Sequence, residues 1–186
     1  MFEELIKNYT KELCNNKENQ LTSHFFSEHI IIVKEYAEKL GVLLNGNIEV
    51  IKISSFLHDI SVIKDFKTKS THNIESASIA ESILSDINYP QDKIIQVKEC
   101  ILKHRKPIQI NEGEIEEICV SNADAISQIV NPTFWLYFSM IILSLDYIDA
   151  KKWYFNRLNS NWNLLIEPAK NLISNKYSIV REALYN

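Results

Sequence analysis

Three glycines in 186 residues leave this chain little from which to build tight turns. Sandwiches and barrels need hairpins, and hairpin-type pairs are few here, Asn45-Gly46 being the clearest. Apolar residues instead return at three- and four-residue spacings along most of the chain, the signature of amphipathic helices. An all-α fold is therefore expected, and the length suits a single domain spanning 1–186 with a real core. The formal charge of −4 argues against an extended nucleic-acid surface. The longest apolar run, Phe134 to Leu145, is too short to span a bilayer and is broken by Ser139 and Ser144. No basic-then-apolar leader is present, and Cys14, Cys100 and Cys119 are widely spaced, so a cytoplasmic protein with reduced cysteines is expected.

Taken in order, Phe2, Leu5, Ile6, Tyr9 and Leu13 predict a first helix that fades at Asn15. Ser23 is placed to cap a second helix, with Gly41 as its stop. Ile48 to Leu57 is rich in β-branched residues, yet no neighbouring stretch offers a strand partner, so a helix is expected there too. Asp59 to Thr71 reads as an exposed loop or short turn. Thr71 is placed to cap a helix from His72, and Pro90 to start another that must end before Pro107. Glu114 to Val130 reads as a helix, Pro132 to Ile148 as a long aromatic one, and Trp153 to Tyr185 as helical wrapping for the core.

Against this background the polar residues stand out. His29 lies on the apolar face of its helix, His58-Asp59 closes another, and Asp124 sits close to the apolar face of a third. A desolvated carboxylate needs a partner. Adjacent His and Asp at a helix end can turn toward one cation, because the backbone there relaxes the divergence of neighbours. With five His and seven Asp in the chain, chance supplies only ~0.2 such adjacent pairs. Two imidazoles, two carboxylates and no thiolate suit Mn, Fe, Co, Ni or Mg as a divalent ion and leave positions open for water and substrate. His72 and His104, each near a helix end, add two nitrogens on the same side.

This arrangement resembles the HD-domain metal-dependent phosphohydrolase superfamily, whose pattern is H…HD…D. The resemblance rests on His29 in His-Ile-Ile-Ile-Val-Lys-Glu-Tyr-Ala, on Leu-His-Asp-Ile at 57–60, on the stretch from His72 to Leu84 and on Asn-Ala-Asp-Ala-Ile at 122–126. It covers about 23–130 and leaves a C-terminal helical extension, about 132–186. The resemblance implies an HD-type helical bundle in which His29, His58, Asp59 and Asp124 hold the metal. His72 and His104 match positions that in some members hold a second metal and in others face the substrate phosphate. Ser61 stands where many members have Gly, and Asn122 where many have an acid.

A hydrolase acting on a small phosphorylated molecule, with a nucleotide foremost, is the function this reading implies. One ion is favoured and a second is open. Asp59, His72 and His104 are the expected catalytic groups, with Asp59 orienting water and the histidines meeting phosphate. Lys67, Lys69, Lys103, Arg105 and Lys106 are the candidate phosphate-side cations, although each taken singly reads equally well as solvated surface. Two rivals use the same residues: a di-iron oxygenase of this fold, and a regulatory module that binds a nucleotide without turnover. Assembly into a homo-oligomer is open.

Overall fold

For residues 1–185 the computed structural model is a bundle of α-helices, and among the described residues there is no strand. The helices are α1 (Phe2–Asn15), α2 (Ile31–Leu44), α3 (Ile48–Leu57), α4 (Ile60–Lys64), α5 (His72–Asp86), α6 (Gln91–Lys103), α7 (Ile115–Val130), α8 (Pro132–Tyr137), α9 (Tyr147–Leu164) and α10 (Glu167–Tyr185). No single helix among them is long and apolar enough to cross a membrane.

Helix α7 is the axis of the bundle. Every residue from Glu117 to Ile129 is buried, because α2, α3, α6, α9 and α10 all pack against it. A helix enclosed on all sides should be apolar all round. Yet α7 carries Ser121, Asn122, Asp124, Ser127 and Gln128 in that buried stretch. Buried polar groups need partners, and most of these find theirs across helix boundaries. Asn122 donates to the carbonyls of Ile108 and Ile118 and accepts from the Ile166 amide, clamping α7 to the entrance of α10. The amide at that position therefore does structural work and is committed away from any metal.

Several boundaries differ from the sequence reading. Ser23 makes no cap. The chain enters α2 through a π-helical turn, Phe26–Ile30, that carries His29. Gly41 does not stop α2, which runs on to Leu44, where Asn45 takes the left-handed cap at φ 60°. Gly41 serves close packing instead, since a Cβ there would lie 2.5 Å from Ile51 Cδ1. The segment after Asp59 is not simply an exposed loop. Ile60, Ser61, Val62 and Ile63 are buried in α4, and only then does a short 3₁₀ turn, Phe66–Ser70, reach the surface. Thr71 precedes α5 without a side-chain capping bond.

The aromatic helix predicted through Ile148 is broken. After α8 comes a π-helical turn, Phe138–Ile142, and the chain then turns with Ser144 at φ 57° before Asp146 caps α9. At the other end of α8, Asn131 ties the end of α7 to the His29 turn, donating to the carbonyl and carboxylate of Glu28 at 3.0 and 2.8 Å. The π-turns and the bend of 81° after α7 let α8 and α9 fold back over the histidines.

Candidate metal centre

Five elements deliver six side chains to one place. His29 comes from the π-turn before α2, His58 and Asp59 from the α3–α4 junction, His72 from the first turn of α5, His104 from the end of α6, and Asp124 from the middle of α7. Asp59 leaves helical geometry at φ −110° and ψ 17°, and that break lets two consecutive side chains converge.

The carboxylate of Asp59 divides the group. Its Oδ2 lies 3.2 Å from His29 Nε2 and 3.5 Å from His58 Nε2. Its Oδ1 lies 3.5 Å from His72 Nε2 and 3.6 Å from His104 Nε2. Within each pair the Nε2 atoms approach to 3.0 Å. Asp124 joins the first pair, its Oδ1 3.6 Å from His29 Nε2. Each triad of ligand atoms fits within 4.8 Å.

Hydrogen bonds behind the rings decide which nitrogen faces inward. His58 Nδ1 meets the Ser55 carbonyl at 2.8 Å, His72 Nδ1 the Lys69 carbonyl at 2.9 Å, and His104 Nδ1 the Ile101 carbonyl at 2.6 Å. A carbonyl oxygen only accepts, so Nδ1 is the protonated nitrogen in each. His29 Nδ1 meets Ser127 Oγ at 2.9 Å, and that hydroxyl already donates to the Asp124 carbonyl, so it too accepts from the ring. With Nδ1 as the donor in each ring, the four imidazoles in their neutral forms turn Nε2 lone pairs on one another beside a carboxylate. A proton or a cation relieves that arrangement, and a cation matches the whole donor set. The residues fit divalent metal.

The electrostatics agree. Burial pushes His58 down to about 4, against the pull of Asp59, so it remains a neutral ligand. Burial alone would raise the carboxyl of Asp59, but His58 above all, then His104 and His29, hold it well below its usual range. Burial would lower His104, and the hydrogen bond and charge of Asp59 instead carry it up.

The centre opens into a cavity of about 460 Å³. Phe25, Phe66, Trp135, Phe138 and Trp153 form an aromatic wall. Lys69, Arg105 and Arg157 supply positive charge. Of the five basic residues singled out in the sequence, Lys69 and Arg105 line this cavity. Lys106 faces a smaller hollow behind it, and Lys67 lies on the exposed 3₁₀ turn. Lys103 is directed elsewhere, 2.7 Å from the buried carboxylate of Glu117 and 3.1 Å from Glu99. An uncompensated Glu117 would be costly at that depth, which explains its capture.

Arg157 and Gln128 were not singled out from sequence. Gln128 Nε2 donates to Asp124 Oδ1 at 3.1 Å, while its Oε1 accepts from Arg157 Nε and from Asn161 at 3.0 Å. Spacing could have flagged Gln128, four residues after Asp124, and Ser127, three after it. Nothing local flags Arg157, whose position depends on how α9 folds back. Cys14, Cys100 and Cys119 are buried and free, with thiol pKa values that burial raises to about 12, so they are inert bystanders.

Compared with known proteins, residues 26–129, more than half of the chain, match the family model described as HD domain. No curated protein and no solved structure gives a match.

Proposed function

The chain belongs to the HD-domain family, a superfamily of metal-dependent phosphohydrolases, and we propose that it hydrolyses a phosphate ester or anhydride bond in a small phosphorylated molecule, a nucleotide by preference. The observation that carries this reading is the division of Asp59 between two histidine pairs, with every inward Nε2 left free to bind metal. His29, His58, Asp59 and Asp124 would hold one ion, and Asp59, His72 and His104 a second. Basic residues lie near His72 and His104 in the sequence, and positive neighbours disfavour a second dication and favour phosphate there. That ground weakens for Lys103, whose charge Glu117 meets at 2.7 Å, while Arg105 still faces the cavity.

Bound divalent metal supplies Lewis acidity and lowers the pKa of water, which is the chemistry that phosphoryl hydrolysis needs. The protein's own groups do the rest. Asp59 and Asp124 fix the orientation of the centre, and Gln128 keeps Asp124 from rotating. Lys69 and Arg105 face the same cavity and are placed to meet phosphate oxygens. The aromatic wall offers stacking area, which supports a nucleobase over a sugar phosphate.

The test is a panel of phosphomonoesters, nucleoside di- and triphosphates and cyclic dinucleotides with Mn²⁺, Co²⁺, Ni²⁺ or Mg²⁺, read by product identity. Release of phosphate or pyrophosphate is the expected result. The same six ligands would serve a di-iron oxygenase, so two irons per chain after anaerobic purification, with O₂ consumption and no phosphate release, would overturn the hydrolase reading. Ligand-induced stabilisation without any product would favour the regulatory module.

A further inference from the structure

Behind the main cavity lies a second hollow of about 170 Å³, lined by Arg105, Lys106, Asp124, Gln128, Arg157 and Asn161 among others. Arg105, Asp124, Gln128 and Arg157 line both spaces, so the two adjoin along a wall that contains a candidate metal ligand. Three cations face the smaller hollow, and Asp124 is its only carboxylate.

What sets these cations apart is that all three line one small space. Lys34, Lys52, Lys93, Lys98, Lys103 and Lys170 each sit against a carboxylate. Arg105, Lys106 and Arg157, like several other basic residues of the chain, have no carboxylate within ion-pair distance among the described residues, but these three converge on one hollow. Arg157 is also held in place. Its Nε donates to Gln128 Oε1, and its guanidinium lies 5.5 Å from the centre of the Trp153 ring. Arg157 so held lines both spaces. An ion drawing on Asp124 would leave the hollow with positive charge alone.

We propose that this hollow is a subsite for a second phosphoryl group, held by Arg105, Lys106 and Arg157, so that the preferred substrate carries a phosphoanhydride and not a lone phosphomonoester. The proposal rests on the phosphohydrolase reading above. Neighbouring phosphoryl groups share a bridging oxygen, so a group held beside Asp124 places the next one directly alongside. Hydrolysis adds the oxygen of water to one phosphorus, breaks that phosphorus's bond to the bridging oxygen, and leaves a proton for the departing phosphate. An arginine fork is suited to such a non-reacting phosphate, because two parallel N–H donors fix its orientation.

The test compares methylenediphosphonate, whose P–C–P bridge cannot be hydrolysed, with methylphosphonate. Each is titrated calorimetrically into the whole manganese-loaded chain, with manganese in fixed excess so that chelation in solution is common to all variants. The diphosphonate should bind wild type at least ~10-fold more tightly, the scale of one charge-assisted contact. Lys106→Met should lower its affinity ~10-fold while changing methylphosphonate twofold or less, and Arg157→Lys should lower it similarly by replacing the fork with a point charge. Equal affinities for the two ligands in wild type would overturn the proposal. So would equal weakening of both by Lys106→Met and by a second variant, Arg105→Met. If no phosphorylated compound is hydrolysed yet this split persists, the hydrolase reading falls and the subsite stands. If monoesters are hydrolysed and no split is found, the subsite falls and the hydrolase reading stands.

Discussion

The two histidine pairs around Asp59 are chemically alike and structurally unequal. The inner pair, His29 and His58, is buried, is braced by α7 through Ser127, and has Asp124 as a second carboxylate. The outer pair, His72 and His104, has only its share of Asp59, and His72 keeps part of its ring accessible to the cavity. Rings on both sides are braced from behind, so if metal fills both positions the additional carboxylate of Asp124 should make the inner one the tighter. What the comparison teaches is that one carboxylate can face both pairs while a second carboxylate, Asp124, distinguishes them.

The largest expected effect breaks the comparison outright. Asp59→Ala removes the ligand common to both sides, so both ions should be lost and turnover should fall by on the order of 10³-fold or more, with helical content unchanged. Metal analysis by mass spectrometry and circular dichroism on the same sample check it, and an Asp59→Ala protein that keeps one ion would show that the sides are independent. Next comes His72→Ala, which should empty the outer position alone. One ion should remain where wild type holds two, with turnover down roughly 10²-fold. Full wild-type metal content in that variant would return His72 to the phosphate-contacting role and a one-ion centre.

A smaller effect sharpens the inner side. Ser127→Ala leaves His29 Nδ1 without its acceptor, and outer-layer partners of this kind are worth about 10-fold or more in metal affinity. The loss should fall on the tighter ion, measured by competition with a chelator.

The metal-free protein should also report on His58 through pH. Its folded value of about 4 lies below the ordinary 6.5, so the unfolded chain binds more protons between these values. Stability is then fully present above about 6.5 and is lost as pH falls toward 4, by at most ~3 kcal/mol from this group. His104, raised by Asp59, works the other way: its contribution is present below 6.5 and fades as pH rises through its elevated value. Urea midpoints of metal-free wild type and His58→Gln, measured from pH 7 to 4, separate the two; an equally steep acid loss in the variant would count against His58 as the source. The smallest effect on the site belongs to Lys103→Ala. The side chain is held by Glu117 and Glu99, so KM should stay within twofold and the change should appear as a stability loss of ~1 kcal/mol.

Helical periodicity, the scarcity of glycine and the His58-Asp59 pair were legible in the sequence, and they pointed to the helical fold and to all six residues of the cluster. Local rules failed where tertiary packing overrode them. Gly41 reads as a helix stop only until α3 is seen lying against it. The apolar residues of α4 are buried by the fold around a segment whose neighbouring lysines look like a surface loop. The aromatic run after Pro132 has helical spacing, but the break at 143–146 that turns α9 back cannot be read from that spacing.

Sequence by itself therefore determined which side chains are available and which helices carry them, because residue type and the 3.6-residue period are local properties. Only the tertiary structure decided where those side chains point. It divided the two oxygens of Asp59 between two histidine pairs, sent Lys103 to Glu117 while Lys69 and Arg105 faced the cavity, and brought Arg157 from beyond the matched domain to within one glutamine of Asp124. These assignments depend on crossing angles, π-turns and breaks set by the packing of distant helices, and no stretch of the chain encodes them alone.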